Sequence, residues 1–499
     1  MPTLTRRDLI ALLLAAPAAA YALSDDTGEW ISLFDGKSLD GWRAEGNKKA
    51  FAAENGQIVA KGELVDPNRE RALLYYVGPT RNADFKNFEL SLEAMTRPRA
   101  ASGICFHAVH DRRRLMEEGF KVQVANSGMG PNKNGWVDQA KTGSLHLLRN
   151  VYKQLVKDNE WFRINILSRG KQVEVRVNGM LVVDYTGPQP PEPDGHPADH
   201  GTFALEGSGA ESITCFRNIR VRRLADDLEQ TSNKEPDDEV TRDTARLIAL
   251  NYPLVDYHVH LKGGLTIEQA LANSRRVGIF YGVAINCGLG FPVHSDDSVR
   301  DYLESMKGQP CYVAMQGEGR EWMTLASPES IARFDYVFTD AMTFTDDNGK
   351  RMRIWLPDEI GKIKDKQAFM EMYVKRIEGV MREPIDIYAN ATFLPTQMDA
   401  EYDALWTPER IAKVIDAAVK NDVAIEINNR YKIPSATFIK AAKAKGAKFS
   451  FGTNNADANL GRLEYPIQMV KQCGIGWQDI FVPKPDGQKA IQVKKLHTA

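Results

Sequence analysis

From Trp30 to about Leu224, apolar and polar residues alternate with a period of two. Phe88, Leu90, Leu92 and Ala94 alternate with Glu89, Ser91 and Glu93, and Val173, Val175 and Val177 alternate with Glu174 and Arg176. Successive side chains of a strand point to opposite faces, so each run predicts a strand with one buried face. Asn178-Gly179, set before Leu181-Val182-Val183, predicts a tight hairpin, because these two residues adopt left-handed backbone at low cost. Phe162, Ile164 and Ile166 repeat the habit, as do Val122 and Val124, and no amphipathic helix interrupts them. Strands at this spacing predict an antiparallel, all-β sandwich.

Beyond Leu247 the pattern changes to alternating helix and strand. Thr266 with Gln269 three residues on predicts a capping box, and Gly278 the end of that helix. Thr407-Pro408 opens a helix whose Ile411, Val414, Ile415, Ala418 and Val419 share one face. Val423 to Ile427 reads as the next strand, a helix follows Pro434 as far as Gly446, and Phe449-Ser450-Phe451 makes a further strand. Repeated βα units predict a parallel sheet closed into a barrel, with chemistry at the C-terminal strand ends. Between the halves, residues 225–247 read as an acidic linker: 225–243 hold eight acidic residues and two basic ones, and almost nothing apolar.

Composition narrows the function classes. The chain has 499 residues, 43% hydrophobic and 26% charged, which suits a large protein of two domains. A formal net charge of −2 supplies no field for nucleic acid or an anionic membrane. Arg112-Arg113-Arg114 is followed by Glu117-Glu118 and reads as a solvated turn. Five cysteines, Cys105, Cys215, Cys287, Cys311 and Cys473, are an odd and scattered set, expected to stay reduced and buried. Arg6-Arg7 before the apolar Leu9 to Leu14, closing on Ala20-Tyr21-Ala22, predicts a twin-arginine signal peptide over residues 1–22. That apolar stretch is too short to span a bilayer, which needs about 20 residues. The expected organisation is therefore a signal (1–22), a sandwich (23–224), a linker (225–247) and a barrel (248–490), in the periplasm or secreted. Oligomeric state is not legible.

Asp256-Tyr257-His258-Val259-His260 is the sharpest motif of the second half. Alternate strand residues share a face, and two imidazoles with a carboxylate suit a divalent metal such as zinc or manganese. Together with Gly317-Glu318, Ile425-Glu426-Ile427-Asn428 and Gly452-Thr453-Asn454-Asn455, this makes residues 250–485 resemble a PHP (polymerase and histidinol phosphatase) domain. The resemblance implies an α/β, (β/α)7 barrel, a metal-dependent phosphoesterase, and His258, His260 and Glu318 as metal ligands. The chain departs from the family at Asn390, where the family has His. It departs again at Thr453-Asn454-Asn455-Ala456, where the family closes with Ser-Asp-Ala-His. Uncharged amides weaken a cluster of dications, so the expectations run from one retained metal through a metal-free barrel to a hydrolase with altered ligands.

The first half carries its own signature. Ser32-Leu33-Phe34-Asp35-Gly36-Lys37-Ser38-Leu39-Asp40-Gly41-Trp42 opens it, and Gly201-Thr202-Phe203-Ala204-Leu205-Glu206 and Phe216-Arg217-Asn218-Ile219-Arg220-Val221 close it. With Ser102-Gly103-Ile104, Gly119-Phe120-Lys121-Val122-Gln123 and Thr142-Gly143, these resemble the 3-keto-disaccharide hydrolase domain family. The resemblance implies a concanavalin-like jelly-roll sandwich that cleaves glycosides oxidised at C3 of the sugar. A C3 ketone acidifies the C2 proton, so a base can remove it, the aglycone at C1 leaves, and water adds back. Such a site needs a base, a partner for the enolate oxygen and an acid. The candidates are His107, Lys121, Gln123, His146 and Glu206: His107 or Glu206 as base, Lys121 or a bound divalent metal at the enolate, His146 as acid. The family commonly has Glu at Lys121, Gln at Glu206, Tyr at His146 and His at Ser208. The first pair of exchanges predicts a Lys121–Glu206 salt bridge. Asp35, Trp42, Arg217 and Asn218 read as residues that fix the fold.

The leading expectation is an exported carbohydrate-active hydrolase or lyase whose partner is an oxidised (3-keto) sugar. The alternative is a glycan-binding sandwich joined to a metal-dependent phosphoesterase or to an inactive barrel.

Overall fold

The computed structural model describes residues 28–62, 71–110, 119–128, 135, 137–187, 199–209, 212–225, 238–346 and 349–494. The expected signal peptide and residues 226–237 of the expected linker lie outside them. Among the described residues, no helix is long and apolar enough to cross a membrane, and all five cysteines are buried.

Two antiparallel sheets form the first half. Among the described residues one has eight strands, centred on Phe88–Thr96 between Phe162–Arg169 and Ile213–Arg223. The other has five, in the order Trp42–Glu45, Arg71–Tyr76, Thr202–Ser208, Ser102–Ala108 and Phe120–Val124. The alternation sets the layers: Phe88, Leu90, Leu92 and Ala94 bury against Ile104, Phe106, Val122, Phe203 and Leu205 of the facing sheet. Asn178-Gly179 closes the predicted hairpin between Gln172–Val177 and Met180–Thr186, with Asn178 at φ 49 and Gly179 at φ 83. The residues expected to fix the fold hold turns and strands. Asp35 accepts from the Lys37 and Ser38 amides at 2.8 and 2.9 Å, and the buried Trp42 indole donates to Leu33 O at 2.8 Å.

The second half is a closed barrel of seven parallel strands, Val255–Val259, Phe280–Cys287, Tyr312–Gly317, Tyr336–Thr339, Ile387–Tyr388, Ala424–Asn428 and Phe449–Gly452. The capping box predicted at Thr266 is present, the helix Ile267–Val277 follows it, and Gly278 ends that helix in left-handed backbone at φ 74. The barrel floor continues the sandwich core: Tyr257, Phe280, Tyr312 and Tyr336 belong to the same buried cluster as the sheets. Tyr152 of the sandwich bridges the two, its ring centroid 5.8 Å from that of Phe280.

The linker expected over 225–247 is corrected in its second half, where Glu239–Ala249 is a helix. Its acidic residues are paired with the barrel: Asp238 with Arg462 at 2.7 Å and Asp243 with Lys471 at 2.7 Å. Leu247 and Ile248 are buried, so the few apolar residues present lie where the helix meets the barrel.

Candidate active site

The outer face of the five-stranded sheet is set by which residues face the core. Ile104, Phe106, Phe120, Val122 and Leu205 point inward, so Gly103, Lys121, Gln123 and Glu206 share the opposite face. Strand register places Gly103 opposite Gln123 and Cys105 opposite Lys121. The loop after the edge strand folds back over it. His146 N donates to Lys121 O at 2.9 Å, and Gln123 N to Ser144 O at 2.9 Å. This return carries His146 to the side of Lys121.

Four of the five expected residues therefore gather. Lys121 Nζ lies 3.3 Å from Glu206 Oε2, the pair expected from the sequence. His146 Nε2 lies 2.9 Å from Asp138 Oδ2, and Gln123 Nε2 donates to the same oxygen at 3.4 Å. Side-chain exposures of 15% for Lys121, 5% for Glu206, 16% for His146 and 9% for Asp138 make the group recessed yet reachable. Burial would raise the Asp138 carboxyl, but the hydrogen bond and charge of His146 outweigh it and hold the group below its ordinary value. A carboxylate only accepts, so the facing Nε2 carries a proton, and in the neutral ring the lone pair is on Nδ1. Gly103 leaves the space these side chains use: a Cβ there would lie 2.6 Å from Lys121 Cδ and 2.7 Å from Glu206 Oε2.

His107 is the correction. Simple alternation places it outward with Gly103, but its backbone is left-handed at φ 51, and pairing with the neighbouring strand shifts register between Thr202 and Ala204. The ring turns into the sandwich, edge-on to Phe88, Phe106 and Phe120, with Nε2 2.9 Å from Lys86 O. Burial lowers its pKa, against the hydrogen bond to Lys86. It stands apart from the recessed group and is withdrawn as its base. Asp138 is the member sequence reasoning missed. It lies in the loop between strands, with no motif or periodicity around it.

The barrel gathers a second polar cluster at the strand ends. His258 Nδ1 lies 2.6 Å from Glu426 Oε1, and His260 Nδ1 lies 3.0 Å from Ala284 O. The two ring centroids are 5.1 Å apart, and both Nε2 atoms are buried without a hydrogen-bond partner. Glu318 accepts from Asn286 Nδ2 at 2.8 Å and from Thr343 Oγ1 at 3.4 Å, and burial with the nearby Asp340 charge pushes its carboxyl up to about 7. Asn390, Asn428 and Asn454 tie the remaining acceptors together, Asn390 Nδ2 donating to Asp340 Oδ2 at 2.8 Å. Asp256, expected beside the imidazoles, is taken by Thr453 and by the His258 amide. Among the described residues no group of three or more His, Cys, Asp or Glu is arranged to hold a metal ion. The two imidazoles alone suit a cation, but the acidic oxygens expected to complete the set, Glu318 among them, are hydrogen-bonded to neutral amides and hydroxyls. As they stand, these residues do not make a metal centre, and no step is routed through one.

No curated protein matches the chain. Among solved structures, two Parabacteroides distasonis proteins, each provisionally described as a glycosyl hydrolase, align at 18% and 22% identity. They cover 45% and 39% of this chain and 99% and 100% of theirs, with TM-scores of 0.33 and 0.30. A carbohydrate-binding module of Bacillus subtilis aligns at 12% identity over 36% of this chain and 95% of its own, with a TM-score of 0.25. A family model described as a 3-keto-alpha-glucoside-1,2-lyase-like domain matches residues 29–222, the span of the sandwich, and the match ends before the barrel.

Proposed function

We propose that the sandwich removes the C2 proton of a glycoside carrying a ketone at C3 and expels the aglycone from C1. The observation that carries this reading is the recessed group in which a carboxylate-backed imidazole adjoins a lysine–glutamate pair, within the span matched by the lyase-like family model. His146 Nδ1 takes the C2 proton, and the electron pair moves into the C2–C3 bond, leaving negative charge on the C3 oxygen. The Lys121 ammonium, held by Glu206, offsets that charge in a site of lowered dielectric. The electrons then form C1=C2, the C1–O bond breaks, and the proton on His146 passes to the departing oxygen. The products are an enone and a free alcohol. Addition of water across C1=C2 completes a hydrolysis, and without it the reaction ends as a lyase. Gln123 steadies Asp138, and Asp138 fixes the tautomer of His146.

The test is release of 4-nitrophenol from both anomers of a 4-nitrophenyl 3-keto-glucoside by the whole chain. His146→Ala should lower the rate by about 10²–10⁴, the usual worth of a general base. A chain that binds the substrate and releases nothing from either anomer would return the sandwich to a glycan-binding role. Export is part of the same proposal, and N-terminal sequencing of the periplasmic protein should begin at Leu23. For the barrel we propose PHP kinship, supported by its closure with seven strands and by the His258-Val259-His260 strand end.

A further inference from the structure

The outer face of the eight-stranded sheet, turned away from the Lys121–Glu206 face of its partner, carries a trough across its strands. Strand register builds it. Arg217, Glu93 and Arg163 stand in one row across Ile213–Arg223, Phe88–Thr96 and Phe162–Arg169, and Arg222, Glu89 and Leu167 stand in another. Between these rows of long side chains run Ser32, Arg220, Ser91 and Asn165, which face one another across four neighbouring strands. Three short polar residues of the four make a low floor. Two hollows of about 440 and 360 Å³ follow this course and share Glu93 and Arg163. Asn178 lines the first, and Asn218 the second.

Charge in the trough is one-sided. Arg163, Arg217 and Arg220 line it against a single carboxylate, Glu93. Arg217 holds that carboxylate at 2.7 Å, whereas Arg163 reaches it only at 3.4 Å and keeps its side chain 54% exposed. Arg220 is exposed and, among the described residues, has no acidic partner. Its guanidinium lies 4.8 Å from the centre of the Trp30 ring. Stacking uses the flat face of a guanidinium and leaves the N–H donors around its edge free. Trp30 therefore steadies Arg220 without competing for the donors that would meet a carboxylate.

We propose that this trough binds an acidic glycan, a run of sugar rings that carry uronate carboxylates. The carboxylates pair with Arg220 and Arg163, and the ring hydroxyls meet the carboxamides of Asn165, Asn178 and Asn218, groups that both donate and accept. Neighbouring strands lie about 4.8 Å apart, so the row from Ser32 to Asn165 is roughly 14 Å long, room for several rings in line. The trough lies on the opposite sheet from Lys121 and His146, so binding here does not depend on turnover there.

Titration calorimetry of the whole chain with pentagalacturonate, beside the neutral maltopentaose, tests this. The acidic pentamer should bind at least about tenfold more tightly than the neutral one, and salt should narrow the gap. Arg163→Gln with Arg220→Gln should weaken the acidic pentamer by at least about tenfold. Asn165→Trp raises the floor without altering charge, and should abolish binding while leaving the circular dichroism and Tm of the chain in place. His146→Ala, on the other sheet, should bind the pentamer as the unaltered chain does. Equal affinity for the two pentamers, unchanged binding in either folded trough variant, loss of binding in His146→Ala, or no heat at millimolar pentagalacturonate would each overturn the proposal.

Discussion

With Nε2 of His146 committed to Asp138 at 2.9 Å, the basicity of the ring rests on Nδ1. Asp138→Asn preserves the shape of the side chain but presents either a donor or an acceptor, so the tautomer is no longer fixed. We expect kcat on a 3-keto-glycoside to fall by about 10²–10⁴ with a smaller change in KM, read by steady-state kinetics. Gly103→Ala tests the neighbouring pair from beneath. Its methyl would sit 2.6 Å from Lys121 Cδ and 2.7 Å from Glu206 Oε2, closer than packed atoms tolerate. The two side chains must part, at a cost of about 1–3 kcal/mol in urea denaturation and with loss of turnover. At this scale the sequence was legible where neighbours along the strand carry the information. Lys121 and Gln123 share a face because they are two apart, and Glu206, one strand beyond Ser102–Ala108, reaches Lys121 across Gly103. His107 obeys the same spacing and still faces the core, because left-handed backbone at one residue overrules the period. Asp138 reaches His146 only through the course of a loop, which no residue pattern announces.

Among the elements, the central strand Phe88–Thr96 holds Glu93 between arginines on both flanking strands, Arg163 on one side and Arg217 on the other. Partial burial would raise the Glu93 carboxyl, but Arg217 at 2.7 Å, joined by Arg163 and Asn218, brings it below its ordinary value. A carboxylate whose folded pKa is depressed stabilises the fold fully above the unfolded value and loses that contribution as pH falls through the folded one. The urea-midpoint difference between the unaltered chain and Glu93→Gln should therefore hold steady from pH 8 to about pH 5 and shrink below about pH 4. A difference that grows on acidification would exclude the arginines as its source. The helix Ile267–Val277 gives a second check: both halves of its capping box are formed, and Thr266→Ala should cost about 1 kcal/mol. Elements of this kind were the most legible part of the chain, since alternation, a box of Thr and Gln, and Asn-Gly each carry a local physical cause. The helix Glu239–Ala249 was not, because its partners, Arg462, Lys471 and the barrel core that covers Leu247 and Ile248, lie far away in sequence.

Across the whole molecule, the loop that brings Asp138 and His146 to the sandwich site is also the surface on which the barrel docks. Tyr152 donates to Tyr252 O at 3.0 Å, Lys153 pairs with Asp335 at 2.8 Å, and Tyr312 donates to Tyr152 O at 2.7 Å. Closest to the chemistry is Asn251, buried at 2% exposure in left-handed backbone at φ 64. Its Nδ2 donates to Val137 O at 2.7 Å and its Oδ1 accepts from Gln139 N at 3.4 Å, so one carboxamide grips the backbone on either side of Asp138. The second half of the chain therefore helps hold the backbone that carries Asp138. Asn251→Gly tolerates the same backbone and deletes only the grip, whereas Asn251→Ala adds strain at positive φ. If the grip positions Asp138, Asn251→Gly should lower kcat by about tenfold or more at nearly constant KM while the Tm moves little, since a displacement of about 1 Å at a catalytic group is costly in rate. A purely structural role would instead lower the Tm and leave the kcat of the remaining folded protein intact. Combining it with Asp138→Asn separates the two cases further: residues that act through one another lose less together than the sum of their separate losses. A double variant no slower than Asp138→Asn alone would mean that the barrel reaches the sandwich chemistry through this one carboxylate.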